Sequence, residues 1–245
     1  MRFGICLWAV CGLVAAEAQN VSEQYLLAAA NQDRVANGLA PVRVDDHLAL
    51  AARLHAYQMA DHGVISHQFD GEPELAERAG EAGAHFSLIT ENVAQASNSA
   101  KIHEMWMASA GHRRNLLDPN VDSVGIAVVQ KNGQLYAVED FATAVPQLTI
   151  EQQEALVASL LTAQGLVLGG NTADARQTCT MTTGFVGERQ PSFLLRYSTS
   201  DLEHLPKALT MKLAAGRYRQ ATVGACVTGQ QTPFTTYNLA VMLFP

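Results

Sequence analysis

Three side chains stand out for the chemistry they could share: His67, Glu91 and His112, separated by 24 positions and then by 21. Two imidazoles and a carboxylate brought to one point can hold a divalent ion such as zinc, with water completing the shell, or can act as a proton-transfer set. The spacing is long, unlike the two histidines one helical turn apart in HExxH, so the fold must gather these residues. Seven of the eight histidines fall between His47 and His112, which assigns the chemistry to the first part of the chain; His204 alone lies beyond. Asn92 follows Glu91 directly, and Arg113 and Asn115 flank His112 as residues able to brace the loop that presents it. On spacing alone the bland reading stays open, because loop and helix-end histidines are more often hydrogen-bonded structural residues than ligands. Ser66 beside His67 does not make a nucleophilic pair: adjacent residues point apart, and no strand-to-helix elbow surrounds the serine.

The elements that must position these groups follow from periodicity and punctuation. Ser22 opens and Gly38 closes a first helix carrying Leu26, Leu27, Ala30 and Val35. Asp45 or Asp46 caps a second, in which Leu48, Ala51, Ala52, His55 and Met59 share a face up to Gly63. Ser66-His67 then sits in a loop, and Pro73 starts a short third helix over 74–82. Thr90 to Ala94 is less regular. Ser97 or Ser99 opens a fourth helix through Ile102, Met105 and Trp106, expected to finish near Gly111, with the tryptophan in a core stripe. Two strands, 124–129 and 135–141, are joined across Asn132-Gly133, which tolerates the positive φ of a hairpin turn. Beyond Pro146, Thr149 with Gln152 forms a capping-box pattern for a helix to about Gln164, and 192–197, 208–213, 221–227 and 237–244 read as strands. No internal repeat is visible in the residues.

Composition bounds the rest. With 245 residues, 48% hydrophobic and 16% charged, the chain is not generally disordered. A net charge of −7 disfavours nonspecific attraction to nucleic acid or anionic lipid, so no nucleic-acid partner is expected. Arg2 precedes an apolar run of 12, Ile5 to Ala16, and Ala16-Glu17-Ala18 has the small-x-small pattern of a cleavage site. Residues 1–18 therefore read as a signal peptide. The run is too short for a transmembrane anchor, which needs about 20 apolar residues, so the mature protein is expected to be secreted or periplasmic. Cleavage removes Cys6 and Cys11 and leaves Cys179 and Cys226. In an oxidising compartment these suggest one disulfide closing a loop of about 47 residues, contributing about 3–4 kcal/mol; two separate buried thiols are the alternative.

The stretch from Leu26 to Ala142 resembles a bacterial member of the CAP superfamily (cysteine-rich secretory, antigen 5 and pathogenesis-related 1 proteins; the SCP-like extracellular domain). The matching pieces, in order, are 31–39 with Pro41-Val42, Leu48 to Met59, Ser66-His67, Glu91-Asn92-Val93-Ala94, Trp106 to Leu117, Val124-Gly125-Ile126 and Glu139-Asp140-Phe141. The resemblance implies an α+β fold, an α-β-α sandwich over 19–145, with a cleft lined by two histidines and two acids. His67 would match the first histidine, Glu91 the first acid and His112 the second histidine. Where the family has its second acid this chain has Ser109, which leaves Glu104 as a candidate cleft acid. A smaller β-rich accessory domain over 146–245, with one helix near its start, would follow. The functional expectation is an exported binding module whose His67 and His112 take a divalent metal, zinc or another, with Glu91 ligating or orienting, and whose ligand is a lipid, peptide, glycan or protein. The alternatives are a metal-dependent hydrolase of peptide or cell-wall material with Glu91 as general base, and a purely structural interaction module.

Overall fold

In the computed structural model, residues 19–227 and 232–245 are described; the signal-peptide reading of 1–18 lies outside them. The first unit runs α1 (Val21–Ala36), β1 (Arg43–Val44), α2 (Asp46–His62), α3 (Leu75–Glu81), β2 (Phe86–Ala96), α4 (Ser99–Ala108), α5 (Ala110–Leu116), β3 (Ser123–Lys131) and β4 (Gln134–Ala144). Its sheet has the order β1-β3-β4-β2, with β1 parallel to β3 and the other pairs antiparallel. Helices cover both faces. Leu26, Ala30, Ile102, Trp106 and Leu116 pack on one side with Ile126, Ala137 and Phe141, while Leu48, Ala52, Met59 and Ala79 pack on the other.

Local chemistry explains these elements. Asn20 and Glu23 form a reciprocal capping box on α1, and Asp45 caps α2, which ends at Gly63 in the left-handed region. Gly125 is required by close approach, since a Cβ there would lie 2.1 Å from the backbone carbon of Leu48; α2 rests directly on β3 at that point. Because β1 is only two residues long, the outward N–H of Val128 has no strand partner, and the buried Glu23 carboxylate accepts it at 3.0 Å. Arg34, also buried, donates to the carbonyls of Ala40, Leu116, Asp118 and Val121 and so ties the end of α1 to the segment after α5.

The expected fourth helix is two. Asn98, rather than Ser97 or Ser99, caps α4, and Ser109 at ψ 122° breaks the path before α5 begins. The stretch read as irregular is the eleven-residue β2. Its polar Glu91 and Asn92 face opposite sides of a sheet buried on both faces, so the usual alternation of apolar and polar residues is absent.

The second unit comprises α6 (Ile150–Ala163), β5 (Val167–Leu168), α7 (Thr172–Cys179), β6 (Phe193–Thr199), α8 (Lys207–Leu213), β7 (Gln220–Cys226) and β8 (Tyr237–Phe244). The expectation of one helix near its start is corrected to three among the described residues. Residues 208–213, read as a strand, form α8, because Pro206 starts the turn and Leu209 and Leu213 fall one helical turn apart on the core side. Cys179 and Cys226 form the disulfide.

This unit has the topology of the first. Its sheet order is β5-β7-β8-β6, again with one parallel edge pair and two antiparallel pairs. Thr149 and Gln152 form a capping box on its first helix, as Asn20 and Glu23 do on α1. A Cβ on Gly224 would lie 2.2 Å from the backbone carbon of Ala175, so α7 rests on β7 as α2 does on β3. Beyond the two-residue β5, the Ala225 N–H is accepted by Glu154 at 3.0 Å. A repeat that the residues conceal is therefore present in the topology.

Candidate functional site

The sheet register sets the site. Glu91 on β2 stands opposite Asp140 on β4, which stands opposite Gly125 on β3; the neighbouring row pairs Asn92 with Glu139. Side chains alternate across a strand, so Glu91 and Asp140 face α2 and α3, whereas Asn92 and Glu139 face α4 and α5.

His67, in the loop after α2, is largely exposed, and its Nδ1 lies 2.6 Å from Glu91 Oε1. The other carboxylate oxygen of Glu91 accepts from Arg78 of α3, and Arg78 also donates to the His67 carbonyl at 3.2 Å. Glu91 is 6% exposed and Arg78 likewise 6%. The hydrogen bond to Glu91 outweighs partial burial and raises the pKa of His67 above its ordinary value. Deeper still, His55 of α2 is fully buried, with Nδ1 2.7 Å from Glu72 Oε1 and Nε2 2.8 Å from the Ser66 carbonyl. Burial and the nearby Glu91 charge push the Asp140 carboxyl well above the usual carboxylate range.

On the other face, Asn92 Nδ2 donates to the His112 carbonyl at 3.1 Å. Asn115 Nδ2 donates to the Glu91 carbonyl and to Asn92 Oδ1, both at 3.0 Å. The two asparagines thus fasten α5, which carries His112, to β2, which carries Glu91. Burial first, and then the nearby His67, lower the pKa of His112. The structure therefore brings His67, Glu91 and His112 into one neighbourhood, with Asn92 and Asn115 as braces. Glu104 is not part of it, being exposed and paired with Lys101 at 2.9 Å. Ser109 serves at the helix break without a side-chain cap bond, and Arg113 donates to the Met107 carbonyl at 2.8 Å.

Several residues of this cluster escape a spacing argument: His55, Glu72, Arg78, Asp140 and Glu139. Glu139 is fully buried and its carboxyl is pushed up to about 8 by desolvation. The signal for these last two was two consecutive acids inside the otherwise apolar strand 134–144.

Among the described residues no group of three or more His, Cys, Asp or Glu side chains is arranged to hold a metal ion. Glu91 has both oxygens engaged, so a three-ligand centre that includes it does not fit. The groups left that could take an ion are the two imidazoles of His67 and His112. His67, its Nδ1 tied to Glu91, turns Nε2 outward, and the His112 ring has no hydrogen-bond partner among the described residues. A carboxylate on the far nitrogen of a ligating histidine is the arrangement that fixes tautomer and aim at metal sites.

A family profile described as the cysteine-rich secretory protein family, CAP, matches residues 27–144. The Bacillus subtilis (strain 168) protein "Uncharacterized protein YkwD" is 28% identical over 109 residues, covering 44% of this chain and 42% of the relative. The chain thus spans less than half the length of that curated relative. A crystal structure of an extracellular protein containing an SCP domain, from Bacillus anthracis str. Ames, is 26% identical with a TM-score of 0.46, over 49% of this chain and 40% of that one. The crystal structure of Na-ASP-1 is 12% identical with a TM-score of 0.45, over 95% of this chain and 91% of that one. Among the described residues no helix is long and apolar enough to cross a membrane. With the ordered matches and the sandwich in place, residues 27–144 are a domain of the cysteine-rich secretory protein (CAP) family.

Proposed function

We propose that this is an exported binding protein whose first unit presents His67 and His112 as a two-imidazole seat, and that it acts by holding a ligand rather than by turning one over. The observation that carries the reading is the commitment of Glu91, whose two oxygens are engaged by His67 and Arg78. A carboxylate so held is an orienting group; a general base must be within reach of the proton it takes. His67 and His112 would hold a divalent ion such as zinc, which supplies a positive centre with coordination positions left for water or for a donor atom of a lipid, peptide, glycan or protein. Export is supported by the apolar run before Ala18.

Calorimetric titration of the mature protein with zinc tests the seat. Wild type should show saturable binding at one site, and the His67→Ala/His112→Ala double variant should lose it; equal affinity in both would remove the seat and leave a purely structural module. Incubation with peptide and peptidoglycan substrates, with and without zinc, tests the binding mode. Zinc-dependent turnover that disappears in Glu91→Ala would replace this reading with a hydrolase.

A further inference from the structure

We propose that the second unit holds a binding site of its own, for a zwitterionic amino acid or short peptide with an apolar side chain, between Arg189 and Asp174. The place is defined by what this unit lacks. In the first unit the segment between α2 and β2 folds into α3, and Ala79 of that helix packs with Ala142, which lies in the sheet row Ser123–Ala142–Ile89. Counted from the glycine under each helix, the matching row of the second sheet is Thr222–Met242–Leu194. Residues 180–192, which join α7 to β6, form no helix to cover it. Phe185 packs on Met242 and Phe244 and covers part of the row. The rest opens as a cavity of about 670 Å³, with Thr222, Met242 and Phe244 in its lining. A volume of that order belongs to sites for small molecules.

The charges around the cavity select its occupant. The Arg189 guanidinium lies over the Phe244 ring, 4.8 Å from its centroid, and its Nη1 donates to Gln220 Oε1 at 2.7 Å. These two contacts hold the guanidinium in place and leave its other N–H groups without a partner among the described residues. A planar fork so held suits a carboxylate. Asp174, in the first turn of α7, accepts from Asn171 Nδ2 through Oδ1 at 3.2 Å, and its Oδ2 has no hydrogen-bond partner among the described residues.

Both groups line the cavity, yet no ion pair joins them among the described residues. Opposite charges kept apart beside an apolar floor fit a ligand that carries an anion at one end, an ammonium at the other and an apolar side chain between. Glu188, on the same lining, favours the ammonium further. A fatty acid would meet Arg189 and leave both acids facing its chain; an uncharged sugar would leave all three charges without a counter-charge. The site is independent of the imidazole seat in the first unit.

Calorimetric titration of the mature chain with leucyl-leucine, and separately with free leucine, tests the site. Saturable binding of at least one probe is expected, and which of them binds separates a peptide from a free amino acid. Capping the probe that binds, by N-acetylation or by C-terminal amidation, should weaken it at least about 10-fold in either case. Arg189→Gln should bind the free probe no better than the amide, and Asp174→Asn no better than the acetylated form, because each variant removes the group that reads that charge. Neither residue is buried, so both variants should fold. No uptake of either probe at millimolar concentration, capped forms that bind as tightly as the free one, or unaltered discrimination in both variants would overturn the inference.

Discussion

Asp140 and Glu139 are adjacent on β4, face opposite sides of the sheet, and are both fully buried acids whose proton is held more tightly in the folded chain than in the unfolded one. For Glu139 the sign is definite. The ordinary value is 4.5 and the folded value about 8, so its contribution to stability is complete below the first and is lost as pH rises through the second. Within that window the loss approaches about 1.4 kcal/mol per pH unit. Glu139→Gln, which cannot ionise, is expected to flatten this decline, and urea midpoints measured across about pH 5 to 9 check it; parallel curves for variant and wild type would show that Glu139 holds its proton equally in the folded and unfolded chain. His67 gives a second expectation. Its pKa is raised by Glu91, and only a neutral imidazole can ligate, so zinc affinity should begin to fall on the alkaline side of about 6.5 as pH is lowered. In Glu91→Gln the fall should move to more acid pH. Calorimetry at several pH values reads both. His67, Glu91 and His112 were legible because each sits in a distinctive string; His55 and Arg78 were not, since single polar residues on helices acquire meaning only from what they touch across the fold.

At the scale of elements, two glycines set the spacing between helix and sheet. A methyl group at Gly125 or Gly224 meets helix backbone, which cannot swing aside as a side chain can. Gly125→Ala should therefore cost at least about 3 kcal/mol and Gly224→Ala a similar amount, measured as a drop in urea midpoint; a change near zero in either would mean that the helix is not seated there. The well-punctuated helices α1, α2 and α6 were readable from their caps and closing glycines, and the β3–β4 hairpin from Asn132-Gly133. Readability failed where tertiary burial overrode local pattern. In β2 both faces are covered, and polar residues that would mark a surface instead face partners inside. In α8 the alternation Leu209-Thr210-Met211-Lys212-Leu213 suited a strand, and Pro206 with the i, i+4 leucines decided for the helix.

At the scale of the whole molecule, two units share one topology but only one carries the site. The row Gly125–Asp140–Glu91 of the first sheet corresponds, through the glycine under its helix, to Gly224–Ala240–Arg196 of the second. Both acids are gone, and Arg196 instead donates to the Thr178 carbonyl at 2.6 Å. The second unit invests its cysteines in a cross-link between α7 and β7. Cys179→Ser/Cys226→Ser is expected to destabilise that unit by about 3–4 kcal/mol while leaving first-unit amide exchange unchanged, which hydrogen-exchange mass spectrometry can resolve. The repeat was hidden from the sequence because the features the units share are geometric: a glycine under a helix, a glutamate on a stranded N–H, and a two-residue edge strand. Anomalous scattering from crystals grown with zinc tests the central claim most directly. One peak per chain is expected, between Nε2 of His67 and the His112 ring, with Glu91 still on Nδ1 and no peak in the second unit. A map without density between those rings, or with Glu91 oxygen bound to the metal, would contradict the account.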